Sequence, residues 1–289
     1  MKLVVITPTR NEEYFLEKTI HDMRKQTVFP DEWIIVNDGS TDKTEEVVRK
    51  HRLSNDFIHY VQLDDRGYRK PGTGVMEAFY EGFNRIRCTD YDIVAKFDSD
   101  LSFQPDTIEL ILNRLQRHPT LGITGGARYE KIPGRKDLKK AYLPKGFVGG
   151  PCKFYRRKCF EAIGGLIKRA GWDGVDIIRA QMKGWRTYEL DPPRLIHLKP
   201  TGLAGGEGIK RAALKYGNVS YFMGGYFWYF MLRALFRSIQ CRNTTYCVYM
   251  MKGYLSSFMQ KEIQETQEFR EYLKKFQLMH LQSFLKRSR

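Results

Sequence analysis

Cysteine is scarce and unpatterned in this chain. Five occur in 289 residues, at Cys88, Cys152, Cys159, Cys241 and Cys247. The number is odd and there is no CxxC, so neither a disulfide framework nor a zinc knuckle is indicated, and a reducing cytoplasm fits. No uninterrupted apolar run reaches the ~18 residues of a membrane-spanning helix. The opening Met1-Lys2-Leu3-Val4-Val5-Ile6-Thr7-Pro8 is a short apolar run ended by proline, which reads as a first strand and not a signal peptide. Phosphate-cradling glycine motifs are missing too. No GxxxxGK[ST] occurs, and Gly72-Thr73-Gly74-Val75-Met76-Glu77 fails GxGxxG, so P-loop and dinucleotide readings fall away. Acid is nearly absent from residues 131–160, which hold ten Lys/Arg against Asp137 alone. That cluster supplies over half of the net charge of +16. It is either a solvated face or the mark of an anionic partner: nucleic acid, phosphorylated substrate or membrane surface.

The rest of the composition is that of an ordinary globular chain, 42% hydrophobic and 28% charged, long enough for one large or two modest domains. Apolar runs at 3–6, 33–36, 57–63 and 92–97 read as strands, and after Leu121–Thr124 the pattern changes. Between them lie helical patterns: Phe15, Leu16, Ile20 and Met23; Val47 and Val48; Val75–Arg87; and 105–118. This β-α alternation predicts an α/β fold, a mostly parallel central sheet with helices on both faces. Gly74, Ala78 and Gly82 share one helix face and would let that helix approach the sheet closely. Residues 128–146 are basic and turn-rich and read as a mobile loop. Helices near 157–163 and 173–183 follow, then strands near 186–190 and 194–198, and a helical extension from about 205.

The chain is organised around Val94-Ala95-Lys96-Phe97-Asp98-Ser99-Asp100, where a buried strand runs into two carboxylates. In open α/β sheets, ligands bind outside the carboxyl ends of the strands. Two acids on one side of an extended segment repel unless something positive lies between them, and a divalent metal on a diphosphate is one solution. The plainer alternative is a turn at Asp98 and a helix cap by Asp100 near Gln104. Asn37-Asp38-Gly39-Ser40-Thr41-Asp42 likewise reads as a turn and cap when taken alone. Three such loops at successive strand ends, Thr7–Arg10, Asp38–Asp42 and Asp98–Asp100, favour a ligand site. Trp172-Asp173-Gly174-Val175-Asp176 is a further polar cluster at a helix start. Asp173 and Asp176 are each able to cap that helix or to act as a general base. His197 closes a late strand and is either structural or close enough to reach a metal.

Thr7-Pro8-Thr9-Arg10-Asn11-Glu12, Val36 to Asp42, Asp98-Ser99-Asp100 and Trp172-Asp173 together resemble a family 2 glycosyltransferase of the GT-A fold, over about residues 1–205. The resemblance implies a hexosyltransferase-like enzyme that uses a nucleotide-diphospho-sugar donor and Mn²⁺ or Mg²⁺ and inverts the anomeric carbon. By position it implies that Pro8, Thr9 and Asp38 hold the base and ribose, with Arg10 and Glu12 in the same donor-binding group. Asp98 would lie near the ribose, and Asp100 of the DXD motif would bind the metal. Asp173 takes the place of the family's base. The chain departs from the pattern at Trp172, where the family has an acid, and the next acid comes late, at Asp176, which is held in reserve. His197 matches a histidine that some relatives use as an additional metal ligand.

The expected organisation is a catalytic domain over 1–205, with a donor half (1–127) and an acceptor half (128–205), and a helical extension over 206–289. In that extension residues 221–232 are apolar or aromatic and are followed by Arg233, Arg237 and Arg242. They suit a membrane-interface helix, or alternatively a core or homodimer helix. Residues 261–289 read as an amphipathic helix with a basic end. Peripheral association with anionic lipid on the inner face of the cell membrane is expected, as is a glycan or lipid-linked acceptor in surface polysaccharide or glycolipid synthesis. A nucleic-acid-binding protein is the competing reading from another class, but three acidic strand ends would repel a phosphate backbone. A nucleotidyltransferase would want a glycine-rich basic loop after the first strand, where this chain has Thr7–Glu13.

Overall fold

The computed structural model describes residues 1–52, 56–68, 70, 72–131, 137–199, 208–240 and 243–287. The chain divides into two compact units, Met1–Pro200 and Thr201–Arg289. In the first unit, strands β1 (Leu3–Thr9), β2 (Glu32–Asp38), β3 (Ile58–Leu63) and β4 (Ile93–Phe97) alternate with helices α1 (Glu13–Met23), α2 (Thr44–Arg52) and α3 (Thr73–Phe83). There follow β5 (Leu101–Phe103), α4 (Thr107–Arg117), β6 (Leu121–Lys131), β7 (Leu138–Lys140), β8 (Cys152–Arg156), α5 (Arg157–Ala162), α6 (Trp172–Met182) and β9 (Arg186–His197).

The nine strands form one sheet in the order β3-β2-β1-β4-β8-β6-β9-β5, with β7 added to β6. The first four are parallel. β8 enters antiparallel to both β4 and β6, and β5 lies antiparallel to β9. Alternation along the strands explains the two-sided cover. Leu3 and Val5 of β1 face a core with Leu16, Ile20 and Met23 of α1 and Ile108, Ile111 and Leu115 of α4. Val4 and Ile6 face a second core with Met76, Ala78 and Phe79 of α3 and Ile177 and Ala180 of α6. Gly82 lets α3 sit close to the sheet, since a Cβ there would lie 2.8 Å from the Cγ2 atoms of Ile6 and Val36.

Several sequence expectations change. The expected loop over 128–146 is partly sheet: β6 continues to Lys131 and is joined by β7, while residues 132–136 lie outside the described residues. The two strands expected at 186–190 and 194–198 are a single strand, β9. Its pairing with β6 skips Asp191 to Pro193 through a register shift between Gly126 and Ala127. Strands β5 and β8 have no counterpart in the sequence reading.

The second unit contains α7 (Ile209–Met223), α8 (Phe227–Gln240), α9 (Thr245–Met259) and α10 (Gln267–Arg287). Its core gathers Ala213, Phe230, Ala234, Tyr246 and Met250. Among the described residues no helix is long and apolar enough to cross a membrane.

Candidate active site

The carboxyl ends of β2, β1 and β4 lie side by side, because Thr9 pairs with Asn37 and Ile6 with Lys96 in parallel register. The loops that leave these ends are knitted together. Asn11, at φ 55°, donates its N–H to Ser40 Oγ (2.9 Å) and accepts from the Thr41 N–H (2.8 Å). The Glu12 N–H reaches Thr44 Oγ1 at 2.9 Å. Gly39 sits at φ 67°, and a side chain there would strike Asp65 backbone, so only glycine fits. Asn37, Ser40 and Asp42 therefore carry the turn chemistry.

Asp38 takes no part in that turn through its carboxylate. It is buried and receives both Nη atoms of Arg66, with Nη2 at 2.6 Å, while Arg10 donates to its backbone carbonyl and to Asp65 Oδ1 (2.6 Å). A carboxylate offers about four lone-pair sites and a fork of Arg uses two, so Asp38 retains accepting capacity. Thr9 Oγ1 is buried without a hydrogen-bond partner among the described residues. Pro8 is buried in β1 beside it. Glu12 Oε1 pairs with Lys199 Nζ at 2.8 Å, which ties the first loop to the chain just past β9.

Asp98, Asp100 and His197 converge, with one ligand atom from each within 4.8 Å of the others. His197 is delivered by strand pairing: Leu101 of β5 lies opposite His197 of β9, and Leu198 N–H donates to Asp100 O at 2.8 Å. His197 Nε2 lies 3.2 Å from Asp100 Oδ2. Thr19 Oγ1 lies 2.8 Å from the carbonyl oxygens of both Ser99 and Leu101 and shares its single proton between them, which ties α1 to the motif. The cap reading of Asp100 fails, since α4 begins at Thr107 after Asp106 and β5 intervenes. Burial pushes the Asp98 carboxyl upward and Asp100 adds to it, with Lys96 opposing. Burial pulls His197 down, but Asp100 and Asp98 outweigh it and the net shift is upward. Two carboxylates and an imidazole are a donor set that a divalent cation fits.

Beneath the motif lie two buried lysines that are cross-strand partners, Lys96 on β4 and Lys153 on β8. Like charges in that position repel, and each is compensated separately. Lys96 pairs with Asp98 and donates to Gly150 O (3.2 Å). Lys153 donates to Asp176 Oδ2 (2.7 Å) and Oδ1 (2.9 Å) and to Asp173 O (2.6 Å). The Trp172 ring lies over both ammonium groups, at 5.1 Å from Lys96 and 5.4 Å from Lys153. At the position where the resemblance leads one to expect an acid, an aromatic face meets two cations.

The two candidate bases separate clearly. Asp176 is buried, held by Lys153 and by Tyr155 Oη at 2.5 Å. Burial pushes its carboxyl upward, with Lys153 opposing. Asp173 is exposed in the first turn of α6, and a Cβ on Gly150 would lie 3.0 Å from its Oδ2. Neither caps the helix, which starts after Gly171 without a side-chain cap. Gly150 thus stands between Asp173 and the Lys96–Asp98 pair. On its other side Gly149 N–H points to Glu189 Oε1 at 3.4 Å, and burial pushes that carboxyl up to about 7. Sequence reasoning missed Arg66, Lys96, Lys153, Glu189 and Lys199. Of these, Lys96 carried a signal, as a single charge inside the otherwise apolar run Ile93–Phe97.

The fold is GT-A. TM-scores of 0.56 and 0.52 relate it to two solved structures, each at 15% identity. The first is the mannosyltransferase PcManGT from Pyrobaculum calidifontis in complex with GDP-Man and Mn²⁺, matched over 97% of this chain and 80% of that one. The second is S. aureus TarS 1-349 in complex with UDP-GlcNAc, matched over 90% and 92%. The model of glycosyl transferase family 2 matches residues 4–164, and the chain belongs to that family. Among curated relatives, the 4,4'-diaponeurosporenoate glycosyltransferase of Staphylococcus aureus is 32% identical over 123 residues, 42% of this chain. The matched stretch spans 30% of that relative's length.

Proposed function

We propose that the protein transfers a sugar from a nucleotide-diphospho-sugar to an acceptor hydroxyl, with inversion at the anomeric carbon. The carrying observation is the convergence of Asp98, Asp100 and His197 at the strand ends of a family 2 chain. Asp100 and His197 would hold a divalent cation, with Asp98 adjoining toward the ribose. When bound, that cation supplies charge neutralisation for the departing diphosphate. Thr9 and the remaining lone pairs of Asp38 would take the base and ribose, with Pro8 packing beside them. Arg10 and Glu12 support this donor site through Asp65 and Lys199.

Asp173 accepts the proton of the acceptor hydroxyl as it attacks from the face opposite the diphosphate. One base suffices for inversion, because no sugar–enzyme bond forms. Asp176, locked against Lys153, keeps α6 in place beneath Asp173. The acceptor is a glycan or lipid-linked hydroxyl presented at the inner face of the membrane, where the chain is peripheral. A thermal-shift screen of nucleotide sugars with and without Mn²⁺ tests the reading. Stabilisation by one donor only when Mn²⁺ is present supports it, and stabilisation by none contradicts it.

A further inference from the structure

Helix α8 is apolar on two sides. Phe230 and Ala234 face the core of the second unit. Trp228, Leu232, Leu235, Phe236 and Ile239 recur at helical spacing on the opposite side. Their side chains are 40–77% exposed. A run of this kind on one helix face is far more than scattered surface apolar residues. Helix α9 repeats the pattern more weakly, with Val248, Leu255 and Met259 exposed along one stripe and Lys252 between them.

Charge identifies what covers this surface. From Ile209 to Met259, across α7, α8 and α9, there are seven Lys/Arg and no Asp or Glu. Arg233 borders the α8 stripe, and Lys215 and Lys252 are exposed on the neighbouring helices. A second copy docked face to face through a two-fold axis would set cation against cation. An anionic bilayer meets both requirements at once, because its headgroups attract the cations and its acyl boundary takes up the apolar stripe. With 14 residues α8 is about 21 Å long, too short to cross the ~30 Å hydrocarbon core, so it must lie flat.

We propose that the outward face of α8, flanked by α9, is a membrane-docking surface for anionic phospholipid. This deepens the reading of a membrane-presented acceptor and rests on it. Phe269 and Leu273 of α10 are buried and form no part of this surface.

The test is co-sedimentation of the full chain with vesicles of phosphatidylcholine, with and without phosphatidylglycerol. The expected result is binding to the anionic vesicles only, weakened at ~0.5 M salt. L232Q/F236Q is expected to lower that binding at least ~10-fold, since both apolar side chains are then lost from the acyl boundary. If the double variant proves unfolded by circular dichroism, Ile239→Gln replaces it, at a side chain 77% exposed. Three outcomes would overturn the proposal: no binding by the wild-type chain, equal binding to neutral vesicles, or unchanged binding by the folded variants. So would a wild-type dimer in gel filtration that the variants split. Donor-induced thermal shift is measured in parallel. Its loss in the wild-type chain would count against sugar transfer and leave the docking result standing.

Discussion

Lys153 Nζ lies 2.7 Å from Asp176 Oδ2, and both side chains are sealed from solvent, at 0% and 1% exposure. This pair decides which acid near the start of α6 is available for chemistry. Removing one member of a buried pair strands the other, at about 3–5 kcal/mol. Asp176→Asn should therefore lower stability by that order in urea denaturation, while Asp173→Asn should stay within about 0.5 kcal/mol of the wild type. Equal, small effects would remove the distinction between the two acids.

The Trp172 ring should contribute to stability through the two lysines it covers. Trp172→Phe keeps an aromatic face and should retain part of that contribution. Trp172→Leu lacks one and should be less stable than the Phe variant by about 1 kcal/mol, read from chemical denaturation. If the Leu and Phe variants are equally stable, the ring acts by packing alone.

Asp100 and His197 should govern metal-dependent stabilisation. Mn²⁺ should raise the melting temperature of the wild-type chain. Asp100→Ala should abolish the rise and His197→Ala should reduce it, measured by thermal shift across a Mn²⁺ titration. An undiminished rise in Asp100→Ala would place the ion elsewhere.

Glu189 makes stability depend on pH. Its carboxyl titrates near 7 in the fold, chiefly because burial disfavours the charge, against 4.5 when unperturbed. Below about pH 4.5 it is neutral in both states, and its contribution to stability is fully present. As pH rises toward 7 the unfolded chain ionises first, so that contribution is progressively lost, by roughly 3 kcal/mol once pH exceeds the folded value. Glu189→Gln should therefore gain melting temperature relative to the wild type between pH 5 and 8. Parallel pH profiles for the two proteins would refute this.

Much of the fold is legible because parallel strands buried on both faces appear as plain apolar runs, as at Leu3–Ile6 and Trp33–Val36. Asp38, Asp98 and Asp100 stand out in the sequence for the same reason, since each lies within three residues of the end of such a run. Strand β8 is hidden because Lys153 and Arg156 make Cys152–Arg156 look like part of a solvated basic stretch. Those charges are in fact consumed internally, Lys153 by Asp176 and Arg156 by the carbonyls of Leu115 and Leu121. Strand β5, with three residues, is too short to show a period, and Pro192-Pro193 breaks the pattern of β9 without breaking the strand. The Arg66 fork on Asp38 depends on a contact 28 residues apart and has no local signature.

On the proposed mechanism Asp173 acts as the base and lies outside the donor site. The most direct test is turnover by Asp173→Asn alongside calorimetric titration with the nucleotide sugar selected by thermal shift, in the presence of Mn²⁺. The expected result is a loss of turnover by roughly 10²–10⁴-fold with donor affinity nearly unchanged. Lost donor affinity, or turnover near the wild-type rate, would contradict the assignment.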